Sequence, residues 1–394
     1  MDKIEELLTR GVDNIYPTKG ELEKILRNGK KLKLYQGFDP TGTQLHIGHM
    51  VGFRKLRQWQ DLGHHVIFLI GDGTGQAGDP SGKTTARDKF MTRDELRKNA
   101  TDYVTQARKI VNFDGENPVE ILYNGDWLNK LTLVDILDIA SYFSLQQLSE
   151  RDLFQERMKK GETINFREFL YPLLQGYDSV AMEVDLEIGG SDQTFNMLAG
   201  RTLVKAMLNR EKFVITTPLL TDSEGRKIGK TEGNVIGLTD APNDLFGKIM
   251  SLSDDIIVKG FEYLTDVSIT DIKNIEKELA SGNNPMSHKK KLAYEVVKQL
   301  NDEVIAKSAQ ENFENTVQGG QNPTEITTHI SKTDQTIEDV MTESGLAESK
   351  SEAKRLIQQG GVTLNDKKIT DPDSQIEEGI LRVGKRKFKK IELK

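Results

Sequence analysis

Val66-Ile67-Phe68-Leu69-Ile70 is an unbroken apolar run that passes at once into a glycine-rich loop over 71–82. Such a run suits a strand buried on both faces, and a strand of that kind needs helices above and below it. The neighbouring segments fit the same arrangement. Leu32-Lys33-Leu34-Tyr35 alternates with period two and meets the turn signal Gly37-Phe38-Asp39-Pro40, and a helix is expected from about 48 to 62. Thr92 and Glu95 make a capping-box pattern, after which Leu96, Ala100, Tyr103, Ala107 and Val111 recur at helical spacing. Strands are expected at 119–123, 184–188 and 213–217, separated by helices near 131–140 and 193–207. Repeated strand, helix, strand units predict an α/β fold with a doubly wound parallel sheet. In such sheets ligands bind beyond the carboxyl ends of the strands. The polar and glycine-rich clusters 35–49, 71–83, 189–193 and 227–231 all follow predicted strands.

Beyond about 240 the chain reads as mainly helical, including 254–264, 269–279 and 287–300. The stretch 316–336, rich in Gly, Asn, Thr and Gln, has linker composition. The terminal unit that follows has Ala353, Leu356 and Ile357 on one helical face and a hairpin-like 361–366. At 394 residues, 36% hydrophobic and 29% charged, two or three domains are expected. No segment has the ~20 apolar residues of a membrane span, and 1–20 carries scattered charges instead of an apolar signal segment, so a soluble cytoplasmic protein with no membrane partner is expected.

The absence of cysteine excludes disulfides, thiolate zinc sites and cysteine nucleophiles. A formal charge of −7 lacks the field of a general nucleic-acid coat. Residues 331–394 nevertheless hold 13 basic and 12 acidic side chains, and five of the six residues from Lys385 to Lys390 are basic.

Of only six histidines, His46 and His49 flank Ile47-Gly48 at a strand-to-helix turn preceded by Asp39-Pro40-Thr41-Gly42. Free N–H groups at a helix start favour phosphate, so the cluster reads as a nucleotide-phosphate site; a metal reading lacks a third ligand at standard spacing. Gly82-Lys83-Thr84 matches the end of a P-loop, but Ala77 stands where its first glycine belongs and Pro80 removes an N–H. Lys83 there suits an anion, and Asp79 an ammonium group. Tyr171, Gln175 and Asp178 share one face of a helix, a face with a phenol, an amide and a carboxylate among Phe169, Leu170, Leu173 and Leu174. Lys227-Ile228-Gly229-Lys230-Thr231, between Gly225 and Gly233, puts two ammonium groups on a hinge-capable loop.

With these clusters in this order, the chain resembles the class I aminoacyl-tRNA synthetases, and within them the bacterial tyrosyl-tRNA synthetases. His46 to His49 is similar to the H-I-G-H signature and 227–231 to the K-M-S-K-S signature, here as K-x-G-K-T. The segments 35–41, 78–83 and 189–193, with Tyr171, Gln175 and Asp178, resemble the tyrosine and ATP pockets. The resemblance implies a Rossmann-like catalytic domain over 1–240 with a mobile lysine loop at 225–233. It further implies a helical anticodon-side domain at 241–320, a linker at 321–336 and a small α+β RNA-binding module at 337–394. It implies that tyrosine is activated with ATP and Mg²⁺ to tyrosyl-adenylate plus pyrophosphate and then transferred to the 3′ end of tRNA(Tyr), without a structural metal and in a homodimer.

By the same resemblance Tyr35 and Asp178 hold the phenol, and Asp79, Tyr171 and Gln175 the ammonium group, with Gly37 and Asp39 beside them. Thr41, His46, His49, Lys227, Lys230 and Thr231 serve the phosphates. Gly48, Lys83, Gly190 and Asp192 line the ATP side, and Gln193 lies along the reacting carboxylate. Lys354, Arg355, Lys385, Arg386 and Lys387 are the tRNA candidates, in a segment resembling an RNA-binding module first described in a ribosomal small-subunit protein. Gln36, Gly52 and Thr194-Phe195 depart from the commoner pattern, and the last of these resembles a second bacterial subfamily. A tryptophan-specific relative and a catalytically idle RNA-binding descendant are the rival readings.

Overall fold

The computed structural model describes residues 2–81, 90–150, 152–228, 235–318, 326–384 and 387–394. These form two compact units, residues 1–240 with 252–300 and residues 241–251 with 301–394.

The first unit is built on six strands: β1 (Asn14–Tyr16), β2 (Lys33–Phe38), β3 (His65–Ile70), β4 (Glu120–Tyr123), β5 (Leu186–Gly190) and β6 (Phe213–Thr217). Their order is β1-β6-β5-β2-β3-β4, parallel except for β1, which runs antiparallel to β6. The parallel strands have the order of a dinucleotide-binding sheet, with the reversal of winding between β2 and β5. Those two strands pair only at Leu34 with Leu186 and Tyr35 with Glu187, so beyond Tyr35 they part and open a crevice.

The apolar run of β3 is buried from Val66 to Ile70, as expected of a strand covered on both faces. Helix α1 (Ile47–Asp61) covers one face and stacks Phe53 against Phe38 at 5.1 Å, while Phe38 lies 4.5 Å from Phe68. Helix α2 (Arg93–Ala107) starts with the expected reciprocal cap: Glu95 N–H donates to Thr92 Oγ1 and Thr92 N–H to Glu95 Oε2. Helices α3 (Phe166–Ala181) and α4 (Thr194–Leu208) pack through Leu173, Val180, Leu203 and Val204.

Several boundaries depart from expectation. β2 continues through Gly37 and Phe38, residues read above as a turn, because β3 supplies ladder partners as far as Ile70. A 3₁₀ turn over Ser191–Gln193 precedes α4. The edge strand β1 was not anticipated. Among the described residues, no helix is long and apolar enough to cross a membrane.

In the second unit, β7 (Thr328–Ser331), β8 (Val362–Leu364), β9 (Lys367–Lys368), β10 (Gly379–Val383) and β11 (Lys387–Leu393) form a sheet of order β7-β11-β10-β8-β9. Two helices, Ile337–Glu343 and Lys350–Gln358, contribute Val340, Met341, Ala353 and Ile357 to a core shared with Val362, Leu381 and Ile391. The expected hairpin closes on Asn365 and Asp366, both at positive φ (50° and 63°), the backbone of a tight two-residue turn. β7 lies in the stretch with linker composition and pairs in parallel with β11.

Candidate active site

The crevice beyond β2 and β5 is a cavity of about 500 Å³, lined among others by Tyr35, Asp39, Thr41, His46, His49, Asp79, Tyr171, Gln175, Asp178, Gly190, Asp192, Gln193 and Lys227. Residues proposed from five separate sequence clusters thus meet at the switch point of the sheet. Gly37 and Gly48 also line it. Lys83, Lys230, Thr231, Lys385 and Arg386 lie outside the described residues.

One region of the cavity is made by β2 and α3. Asp178 is buried and receives two hydrogen bonds, from Trp127 Nε1 to Oδ1 at 2.8 Å and from Asn124 Nδ2 to Oδ2 at 3.0 Å. Burial pushes its carboxyl pKa well up, while the two donors pull the other way by stabilising the charged form. Tyr35 is fully buried, with its hydroxyl 3.0 Å from Ser179 Oγ; burial first, then the charges of Glu187 and Asp178, raise its pKa and keep it protonated.

On the same face of α3, Tyr171 Oη donates to Asp39 Oδ2 at 2.9 Å. The donation leaves the lone pairs of that hydroxyl as acceptors. Asp39 also takes the Thr74 hydroxyl proton at 2.7 Å. Burial, followed by the Asp39 and Asp79 charges, raises the Tyr171 pKa as well. Gln193 Nε2 donates to Asp79 Oδ2 at 2.8 Å, and Ser81 N–H donates to Asp79 Oδ1 at 2.9 Å. Asp39 and Asp79, with Tyr171 Oη, therefore offer acceptors that suit a cation.

The phosphate candidates sit at the start of α1. His46 is its N-cap, with Gly48 N–H donating to His46 Nδ1 at 3.1 Å and His46 N–H to His49 Nδ1 at 3.2 Å. Because each Nδ1 accepts, a neutral ring carries its proton on Nε2, so each imidazole is an Nε2–H donor beside the helix N-terminus. Gly48 makes room for the close tilted contact of the rings, 4.1 Å between centroids: a Cβ there would lie 2.9 Å from His46 Cε1 and Nδ1.

Lys227 lies across the mouth of the cavity, its Nζ paired with Asp192 Oδ2 at 2.7 Å. It follows a tight turn in which Asp222 accepts from the backbone of Glu224 and Arg226. Gln36 and Gly52 depart from the common pattern together. A Cβ at Gly52 would come within 2.5 Å of the Gln36 amide, and Gln36 Oε1 is buried with no hydrogen-bond partner among the described residues. Among the described residues no three His, Asp or Glu side chains converge as a metal ligand set.

Asn124, Trp127, Ser179, Glu187 and Lys212 support these groups and were not anticipated. Their only sequence signal is position: Asn124 just follows β4, and Lys212 just precedes β6. In the second unit, Lys354 pairs with Glu338 at 3.4 Å, Arg355 is exposed on the same helix, and Lys387 Nζ donates to the Leu346 carbonyl at 3.1 Å.

The chain is similar to known proteins over nearly its whole length. Residues 27–318 match the family described as tRNA synthetases class I (W and Y), and residues 335–379 match the S4 domain. A tyrosine–tRNA ligase of Dehalococcoides mccartyi is 39% identical over 394 residues, covering 99% of this chain and 98% of the relative. One from Thermotoga maritima is 40% identical, covering 98% of this chain and 96% of the relative. A truncated mitochondrial tyrosyl-tRNA synthetase of Aspergillus nidulans superposes with a TM-score of 0.68 at 26% identity, over 79% of this chain and 93% of that structure.

Proposed function

We propose that this chain, which belongs to the class I tRNA synthetases of the tryptophan and tyrosine group, is a tyrosine–tRNA ligase. The observation that carries the reading is that Asp178 and Tyr35 both line a cavity whose other side chains accept a cation. A phenol both donates and accepts a hydrogen bond, and this pair answers both needs. An indole has one N–H and no acceptor, so it would leave the Tyr35 hydroxyl unanswered.

In the reaction, Tyr35 and Asp178 hold the phenol. Asp79, Tyr171 Oη and Gln175 accept from the ammonium group, within reach of Gly37 and Asp39. The carboxylate attacks the α-phosphorus of ATP, supplied as its magnesium complex; the bond to the β-phosphate breaks and pyrophosphate leaves. The nucleophile is already ionised, so no general base is needed, and the protein's task is alignment and stabilisation of charge developing on phosphate oxygens. The Nε2–H groups of His46 and His49, with Thr41, Lys227, Lys230 and Thr231, supply that charge stabilisation. Gly48 and Gly190 allow close backbone approach, and Asp192, Lys83 and the orphaned Gln36 oxygen meet the nucleotide. Gln193 lies along the carboxylate. In the second step a terminal ribose hydroxyl of tRNA(Tyr), the 2′ position by family resemblance, attacks the adenylate carbonyl and AMP leaves.

The C-terminal module, with Lys354, Arg355, Lys385, Arg386 and Lys387, is assigned to the tRNA backbone. Leu133, Val134, Leu137, Leu145 and Phe166 form an exposed apolar set between 133 and 166 that supports a homodimer, tested by sedimentation. We place the enzyme in the cytoplasm, where its tRNA substrate is charged. ATP–pyrophosphate exchange tests the activity: tyrosine should drive exchange, whereas exchange driven by tryptophan, or by neither amino acid, would refute the assignment.

A further inference from the structure

At the wall of the cavity, which Glu187 lines, Lys212 and Glu187 form a buried ion pair. Lys212 Nζ donates to Glu187 Oε2, to Ser179 Oγ at 2.7 Å and to the Met197 carbonyl at 3.2 Å, which uses all three of its protons. Burial pushes the Lys212 pKa down and the Glu187 carboxylate opposes the shift. An ammonium group can only donate, so Ser179 Oγ accepts from Lys212; with one lone pair so engaged, the Ser179 proton is placed to donate to the Tyr35 hydroxyl 3.0 Å away. With Ser179 as the donor, Tyr35 Oη accepts from it and keeps its own proton for an acceptor in the cavity, where a bound phenol oxygen would compete with Glu187. On the other side of the pair, Glu187 Oε1 accepts from Gln175 Nε2 at 3.0 Å. A flipped amide would set oxygen against carboxylate oxygen, so the Gln175 carbonyl is the end left for the cavity.

We propose that the Lys212–Glu187 pair, acting with Ser179, sets the hydrogen-bonding sense of both ends of the amino-acid pocket. It makes Tyr35 a donor to the substrate's phenol oxygen and Gln175 an acceptor from the substrate's ammonium group. This rests on the tyrosine–tRNA ligase reading. Lys212 and Ser179 are positioning residues that act through Tyr35 and Gln175. A buried ion pair is weak evidence of stabilisation, since apolar replacements of equal volume often serve as well. Its geometric consequence is different: it ties together two substrate-facing groups on separate elements, and an apolar pair could orient neither.

The test is tyrosine- and phenylalanine-dependent ATP–pyrophosphate exchange by the full chain and two variants. Ser179→Ala should raise KM for tyrosine about five- to tenfold with kcat within about twofold, because the phenol is remote from the reacting carboxylate. Phenylalanine has no phenol oxygen, so its kcat/KM should stay within about twofold and also report an intact fold. Glu187→Gln retains only one of the two acceptor oxygens, so Lys212 or the Gln175 amide loses its anchor. KM should rise for both amino acids through the ammonium group they share. Equal effects of Ser179→Ala on the two amino acids, including loss of both activities, or an unchanged ratio, would overturn the inference. So would an unchanged KM for both in Glu187→Gln. Failure of the unmodified chain to exchange with tyrosine would instead overturn the functional reading.

Discussion

Gly48→Ala separates catalysis from stability more cleanly than removal of either histidine. The new methyl carbon would lie 2.9 Å from His46 Cε1 and Nδ1 and 3.5 Å from the Ile228 carbonyl, so the His46 ring must move by tenths of an ångström. That movement breaks the 3.1 Å bond from Gly48 N–H to Nδ1 and turns Nε2 away from the phosphates. A lost cap costs about 1 kcal/mol, and alanine in place of helical glycine returns about as much. The melting temperature should therefore move by only a few degrees. A preorganised donor to charge developing in the transition state is worth about 2.7–4 kcal/mol, or about 10²–10³ in rate, and displacing it should forfeit at least a tenth of that factor. Rapid quench of labelled ATP with enzyme and saturating tyrosine should show adenylate formation slowed by about ten- to a hundredfold at nearly unchanged tyrosine KM. A rate within about threefold of the parent in a normally folded variant would refute the reasoning.

Asp178→Asn sets an amide NH₂ against Trp127 N–H or Asn124 NH₂, both donors. Loss of hydrogen bonds to a charged group, about 1.5–3 kcal/mol, should reduce the preference for tyrosine over phenylalanine by about ten- to 150-fold in pyrophosphate exchange; an unchanged preference counts against the pocket. Burial, with Arg10 and Arg54 nearby, lowers the pKa of Lys55 from 10.5 to about 7. Between those values the unfolded chain binds the proton that the folded chain does not, so this group makes stability rise with pH from about 7 to 10.5, by up to about 1.4 kcal/mol per pH unit. Urea melts of Lys55→Met should lack that increment, and a slope equal to the parent's would disprove it. Arg355→Ala should weaken tRNA binding and reduce its log–log salt slope by about one while leaving adenylate formation unchanged; an unaltered slope removes Arg355 from the RNA surface.

Features set by neighbouring residues were legible in the sequence. The run 66–70, the Thr92–Glu95 cap and the His46–Gly48–His49 turn each carry their signal within a few residues, and all three appear as expected. The four loop clusters could be brought together because the winding of a parallel sheet dictates where its loops converge. Groups whose meaning depends on distant partners were not legible. β1 has three residues and exists through pairing with β6, some 200 positions away. β7 has linker composition and is a strand because β11 offers it an edge. Lys212 and Glu187 look like ordinary charged residues, one just before β6 and the other within β5. Only the return of α3 over β2, which places Ser179 against Tyr35 across 144 positions, gives them a role.

The central claim is that one cavity joins tyrosine to ATP and passes the product to tRNA. It is tested most directly by incubating the purified chain with labelled tyrosine and ATP, isolating the protein-bound label and then adding tRNA. Label should be retained as tyrosyl-adenylate and moved to the 3′ end of tRNA(Tyr), with none retained when tryptophan replaces tyrosine. Retention of tryptophan, or no adenylate with either amino acid, would contradict it.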